Sequence, residues 1–251
     1  MRSVYTLLPV VATVGVAASQ PSDSWVFGNS LFYLGPPSGN SRITKATYSI
    51  LPPSVPSGSI VSNKNDEVWV SVWVGASPTA GDHNANLYQP LFNWSPDQES
   101  QGCSASVDEW CVAASTYTPH GQVGQAYVAV PQNTTIDFEI AVVNGKVVQT
   151  VTMEDKVISK QSDTLDASLQ YLYSSNECYT GSGSCGSLAG YDITNLTVTL
   201  SEADTNFANV MSLDSVTDSN FKSTDGGITW HTDRITVSSI DFDSSSDTEV
   251  N

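Results

Sequence analysis

The sequence predicts an all-β protein, built as an antiparallel sandwich or jelly roll. Three observations lead there. Period-two alternation of apolar and polar residues recurs along the chain. Turn signals separate the alternating segments at short intervals. No stretch carries a sustained i, i+3, i+4, i+7 apolar pattern.

The chain has 251 residues, and its first 19 read as a removable targeting segment. Met1-Arg2-Ser3 gives a positive start, Val4–Val16 is mostly apolar, and Ala17-Ala18-Ser19 offers small residues for cleavage after Ala18 or Ser19. A secreted, extracellular protein follows. The apolar run is too short to cross a bilayer, and no later run reaches about 18 residues. Residues 20–240 are expected to form a single sandwich domain. The Ser-rich acidic tail 241–251 reads as disordered.

The strand candidates run in order. Ile43–Ile50 comes first, between the Pro/Gly/Ser-rich loops 34–40 and 51–58. Glu67–Val74 is the clearest, with Val68, Val70, Val72 and Val74 on one face and Glu67, Trp69, Ser71 and Trp73 on the other. Leu87–Trp94, Trp110–Tyr117, Gln125–Val130 and Thr135–Ile140 follow. Lys146–Met153 begins after the turn Asn144-Gly145. Ala167–Tyr173, Leu196–Leu200 and Arg234–Ile240 complete the set, with the Gly-Ser run 181–186 and Asp225-Gly226-Gly227 as breaks.

Charge narrows the function. The formal net charge is −17, from 26 acidic against 9 basic residues. Nucleic acid and anionic membrane surfaces both need clustered Lys and Arg, so neither is an expected partner. An acidic excess on a weakly charged chain suits work in acid, where carboxylates lose their charge. A monomer is expected.

Four cysteines allow three pairings. Cys103–Cys111 with Cys178–Cys185 closes two short loops and joins sequence neighbours, so it is the expected pattern. The spacings lack CxxC or a histidine partner, so no metal site is expected. Sequons stand at Asn93, Asn133 and Asn195. Pro96 follows the first, which leaves Asn133 and Asn195 as the expected glycosylation sites of a glycoprotein.

Several motifs bear on chemistry. Trp69 and Trp73 share a strand face, either as the wall of a groove for a polymer or as a second buried face. Asp137 and Glu139 share another strand face. Carboxylate pairs of this kind occur in sandwich glycosidases as E-x-D-x-x-E, but Thr135 occupies the first acid position, so a solvated face is the better account. His83, His120 and His231 have no metal spacing. No G-x-S-x-G is present for a nucleophile elbow.

The segments Val72-Trp73-Val74-Gly75 and Asn86-Leu87-Tyr88-Gln89-Pro90-Leu91-Phe92-Asn93-Trp94 resemble those of the fungal glutamic peptidases, the eqolisins, with their A-W-V-G-I strand and I-L-Q-T-G-x-D-W strand. Gln89 matches the catalytic glutamine. Leu87 matches the aliphatic before it, and Asn93-Trp94 matches the D-W pair. Val130–Ile136 and Thr150–Lys160 are similar to a turn and a hairpin of the family, so the resemblance spans residues 65–200 loosely. It implies a concanavalin A-like sandwich and an acid hydrolase without cofactor or metal. There a glutamate activates water while the glutamine steadies the oxyanion. The family's N-A-E strand is best matched by Ser168–Ser174, which puts Gln170 at the glutamate position. An amide is no base, so Glu177 is the carboxylate expected to pair with Gln89, with Trp69, Trp73 and Gln170 as substrate-binding residues. The alternative is a carbohydrate-binding, lectin-like sandwich, or one that degrades polysaccharide as a lyase or glucanase does. With so few basic residues, a uronate lyase is poorly supplied.

Overall fold

The structure, a computed structural model, describes residues 25–28, 31–82 and 84–244. The targeting segment, His83 and the tail beyond residue 244 lie outside the described residues.

The architecture is all-β. Among the described residues the one helical element is a 3-10 turn, Phe207–Val210. The first large sheet runs in the order Val128–Val130, Trp110–Ala113, Leu91–Trp94, Trp69–Ser77, Tyr171–Tyr179, Leu31–Leu34 and Met211–Asp214, with shorter strands along its margins. The second runs Lys156–Thr164, Lys146–Met153, Ile136–Val143, Ile43–Ile50, Tyr191–Leu200, Thr229–Val237 and Val216–Asp218. The pairings are antiparallel.

One apolar layer fills the space between the sheets. Val70, Val72, Val74 and Ala76 enter it from the first sheet, and Tyr48, Ile50, Phe138 and Val198 from the second. Alternation puts the odd-numbered residues of the Trp69–Ser77 strand on the opposite, outward face. The hydroxyl of Tyr48 donates to the Val74 carbonyl at 2.9 Å, which satisfies a polar group between the layers.

Several expected strands differ from those observed. Leu87–Trp94 is broken into Leu87–Tyr88 and Leu91–Trp94, because Pro90 has no N–H to give to the ladder. The strand expected over 167–173 lies at Tyr171–Tyr179, and the last long one at Thr229–Val237. Short strands at Trp25–Phe27, Leu31–Leu34, Met211–Asp214 and Val216–Asp218 were not expected. They carry too few alternations for a period to be read.

The domain also extends past residue 240. Ile240–Asp241 pairs with Ser187–Leu188, Phe242 is buried, and its N–H bonds the Gly186 carbonyl at 3.0 Å. The acidic tail therefore does not begin at 241. Near the other end, a Cβ on Gly28 would lie 2.9 Å from the Ile240 side chain, so both ends of the described chain meet.

Both disulfides pair as expected, Cys103–Cys111 and Cys178–Cys185. Cys178, Cys111 and Cys185 are fully buried.

Candidate functional site: the outward face of the first sheet

The register of the first sheet arranges its outward residues in rows across the strands. Glu177 lies opposite Ser71, and Ser71 opposite Asn93. One step along, Ser175, Trp73 and Leu91 form a second row. Trp73 pairs with Leu91 and Ala76 with Tyr88, so the unbroken register sets Gly75 opposite Gln89, while Tyr173 lies opposite Gly75 from the other side. Tyr33 continues that third row beyond Tyr173.

These outward residues are nearly as buried as the core. Trp73 is 4 % exposed, Gln89 5 %, Asn93 3 % and Ser71 2 %. These outward side chains are covered by one another and by the aromatic rings around them. At one end Trp25 meets Trp69 edge-on at 4.6 Å, and Trp69 stacks on Tyr179 at 5.7 Å. At the other, Tyr33 stacks on Tyr173 at 5.3 Å, and Trp73 meets Tyr173 at 5.6 Å. The two readings of Trp69 and Trp73 thus divide: Trp73 is buried, and Trp69 belongs to a half-exposed aromatic platform with Trp25.

Four buried side-chain atoms among the described residues have no hydrogen-bond partner: Tyr33 Oη, Trp73 Nε1, Thr79 Oγ1 and Gln89 Oε1. Tyr33, Trp73 and Gln89 stand in the second and third rows, and Thr79 follows the end of the Trp69–Ser77 strand. Orphaned polar atoms cost about 1–3 kcal/mol each, so three on one face and a fourth just past the end of its central strand mark a place that awaits polar company.

Gln89 is held on one side only. Its backbone N–H donates to the Ser115 carbonyl at 2.9 Å, and its Nε2 donates to Gln122 Oε1 at 3.3 Å. Gly75 is required beside it, because a Cβ there would lie 3.1 Å from the Gln89 Cβ and 2.7 Å from Leu87 Cδ1.

Burial pushes the Glu177 carboxyl up to about 7, and the nearby Trp73 indole opposes that rise in part. Burial likewise pushes Tyr173 up to about 12. Ser71 Oγ donates to Asn93 Oδ1 at 2.9 Å and closes the row beside Glu177.

The register corrects the expected pairing of Gln89 with Glu177. Both face outward, but Gly75 is four residues from Ser71, so the two stand about 14 Å apart along the strand at ~3.4 Å per residue. The residue that faces Gln89 across the central strand is Tyr173. Gln170 precedes its strand and is tied by its backbone N–H to the Ser77 carbonyl at 3.0 Å, away from Gln89.

Charge is segregated between the sheets. The described strands of the first sheet contain no Lys, Arg or His. Lys45, Lys146, Lys156, Lys160, Lys222, His231 and Arg234 all stand on strands of the second. This segregation and the orphaned atoms escape sequence reading, because both depend on which strands share a sheet.

The remaining candidates lie elsewhere. Asp137 accepts from Ser49 Oγ at 2.5 Å and Glu139 pairs with Lys45 at 2.5 Å, both on the solvated face of the second sheet. His231 lies between Thr197 Oγ1 at 2.9 Å and Asp233 Oδ1 at 3.0 Å, but the Asp233 side chain is 87 % exposed, too wet to polarise an imidazole strongly. No group of three or more His, Cys, Asp or Glu that could hold a metal occurs among the described residues. Asn93 is buried, whereas Asn133 and Asn195 are exposed, each with positive φ (61° and 54°).

No protein-family model and no curated protein matches the chain. Solved structures share the sandwich at low similarity. A homodimeric agglutinin from chicken liver is 10 % identical, with 65 % of this chain and 99 % of that one covered and a TM-score of 0.32. A toad ovary galectin complexed with thio-digalactose is 9 % identical over 61 % of this chain and 94 % of that one, with a TM-score of 0.29. The κ-carrageenase from Pseudoalteromonas carrageenovora, complexed with an oligosaccharide, is 8 % identical over 91 % and 99 %, with a TM-score of 0.28. The antiparallel β-sandwich stands on the strand register itself.

Proposed function

We propose that the outward face of the first sheet binds an uncharged, hydroxyl-rich chain, a neutral polysaccharide. The observation that carries this is the set of four unpaired buried polar atoms among aromatic rings. Trp73 Nε1 offers a donor, Gln89 Oε1 an acceptor, and the Tyr33 and Thr79 hydroxyls can act as either. Sugar hydroxyls are likewise both donors and acceptors, and their C–H faces stack on rings such as Trp25 and Trp69. The lack of cationic side chains on these strands disfavours uronates and sulfated chains, which call for Arg or Lys.

Calorimetric titration with laminarihexaose, cellohexaose and xylohexaose tests this. Binding of at least one, weakened by Trp73→Phe, supports the reading. No binding of any of the three between pH 4 and pH 7 overturns it.

Acid endopeptidase activity is the second reading. The free Gln89 Oε1 and the raised pKa of Glu177 favour it. Their separation along the strand opposes it, since one water and one scissile carbonyl must meet both groups. Casein digestion across pH 2 to 6, insensitive to a pepsin inhibitor and lost in Glu177→Gln, would support this reading over the first.

A further inference from the structure

We propose that Gln122 is the positioning residue that fixes the direction of the Gln89 amide, and thereby which hydrogen bond this face offers its ligand. The inference rests on the polysaccharide reading for its ligand, and on geometry alone for the coupling.

Gln122 comes from a hairpin, Ser115–Thr118 and Gly121–Gly124, that extends the first sheet beyond Leu87–Tyr88. Ser115 pairs with Gly124, and Tyr117 with both Gln122 and Leu87. Gln122 therefore shares the outward face with Ser115 and Gln89. Its Oε1 accepts from Gln89 Nε2 at 3.3 Å, and its own Nε2 donates to Ser115 Oγ in a short contact. Both polar ends of Gln122 are thus engaged, and a flip of Gln122 alone would set donor against donor at Gln89, while the Ser115 hydroxyl could rotate to serve either orientation.

Anchoring continues behind Ser115. Its N–H donates to Gln149 Oε1 at 3.3 Å, and Gln149 Nε2 donates to Thr116 Oγ1 at 2.7 Å. Thr116 in turn donates to Asp163 Oδ2 at 2.8 Å. Gln149 and Thr116 are fully buried, so Ser115 is a fixed point. Gly124 lets the hairpin lie close, since a Cβ there would stand 3.1 Å from Ser115 Oγ.

A primary amide has two N–H groups and one carbonyl. With one N–H committed to Gln122, Gln89 keeps the unpaired Oε1 and the second N–H for a ligand. Without Gln122, the amide can turn and present the opposite pattern. Gln122 is exposed on its hairpin, so its replacement leaves the core packing untouched.

The test uses the full chain with glutamine-selective ¹⁵N labelling, the Gln89 side-chain signals being assigned by their loss in Gln89→Ala. In Gln122→Leu, the Gln89 side-chain N–H that exchanges slowly in wild type should exchange about fivefold or more faster. Affinity for whichever of laminarihexaose, cellohexaose or xylohexaose the wild type binds should fall about tenfold. Gln122→Glu should restore both, because its carboxylate accepts from Gln89 and from a rotated Ser115 hydroxyl. Unchanged Gln89 signals in Gln122→Leu overturn the positioning role. Changed signals with unchanged affinity overturn the link to the ligand. If wild type binds none of the three sugars, the polysaccharide reading fails, while the amide signals still decide whether Gln122 holds Gln89.

Discussion

Gln89 and Tyr173 face one another across Gly75, in a row that Tyr33 extends. The glutamine thus meets a phenol where a glutamic peptidase would need a carboxylate, and Glu177 stands two rows away. The free groups of this arrangement are neutral, and its one ionisable acid is displaced from the amide.

Glu177 gives the fold a pH signature. Its carboxyl is raised from 4.5 to about 7. Between these values the folded state keeps a proton that the unfolded chain has released, so stability is fullest below about pH 4.5 and declines up to about pH 7. Glu177→Gln, neutral throughout, should match wild type near pH 4 and exceed it at pH 8, by roughly 1–3 kcal/mol. Parallel stability curves for the two proteins from pH 4 to pH 8 would rule this out.

Gly75→Ala should cost about 1–3 kcal/mol, because the new methyl group meets Leu87 and crowds the Gln89 Cβ and the Tyr88 carbonyl. Leu87→Ala in the same chain should recover part of the loss by clearing the nearer contact. Urea denaturation of the single and double variants measures this, and strictly additive losses would contradict it.

Trp73→Phe removes an indole N–H that meets no well-formed acceptor and whose electrostatic neighbour is the Glu177 carboxyl, protonated at about pH 5 where the melt is run. The melting temperature should change little for so buried a ring, since lost packing is offset by relief of the orphaned donor. Ligand affinity should nonetheless fall about tenfold. A loss of stability with affinity preserved would show that the indole is purely structural.

Cys178 neighbours Glu177 in the strand, and its bond to Cys185 fixes the 179–184 loop beside the Trp25–Trp69 platform. The double variant Cys178→Ala/Cys185→Ala should lose roughly 2–3 kcal/mol. Thermal melts of both proteins read this, with wild type under reducing conditions as a second comparison. An unshifted melt would mean that the short loop is held by its backbone bonds alone.

Much of this fold was legible in the sequence. The four valines from Val68 to Val74 identified the inner face of the central strand, and Ile43–Ile50 and Lys146–Met153 were bounded correctly. Local disulfide pairing followed from chain economy. The site was legible only as an inventory. Gln89, Trp69, Trp73 and Glu177 all reach the same face, but their order on it depends on register between strands 94 to 110 positions apart in one pairing and 18 to 24 in the other, which no local period encodes. Tyr33 and Gln122 escaped notice for the same reason. Each lies on a four-residue strand and takes its meaning from a neighbour remote in sequence or across a hairpin.

The contact of Gly28 with Ile240 has a mechanical consequence. Trp25–Phe27 runs beside Tyr179, and Ile240–Asp241 beside Ser187–Leu188, so both ends of the described chain grip the same stretch of polypeptide. A pull applied to residues 25 and 242 loads two short antiparallel seams in turn, and these can part bond by bond at low force. Once they part, the long strands behind them must yield together. Stretched between a surface and a probe, the molecule should give an early, weak yield before its main rupture, and a covalent link between residues 28 and 240 should erase the first event while leaving the second.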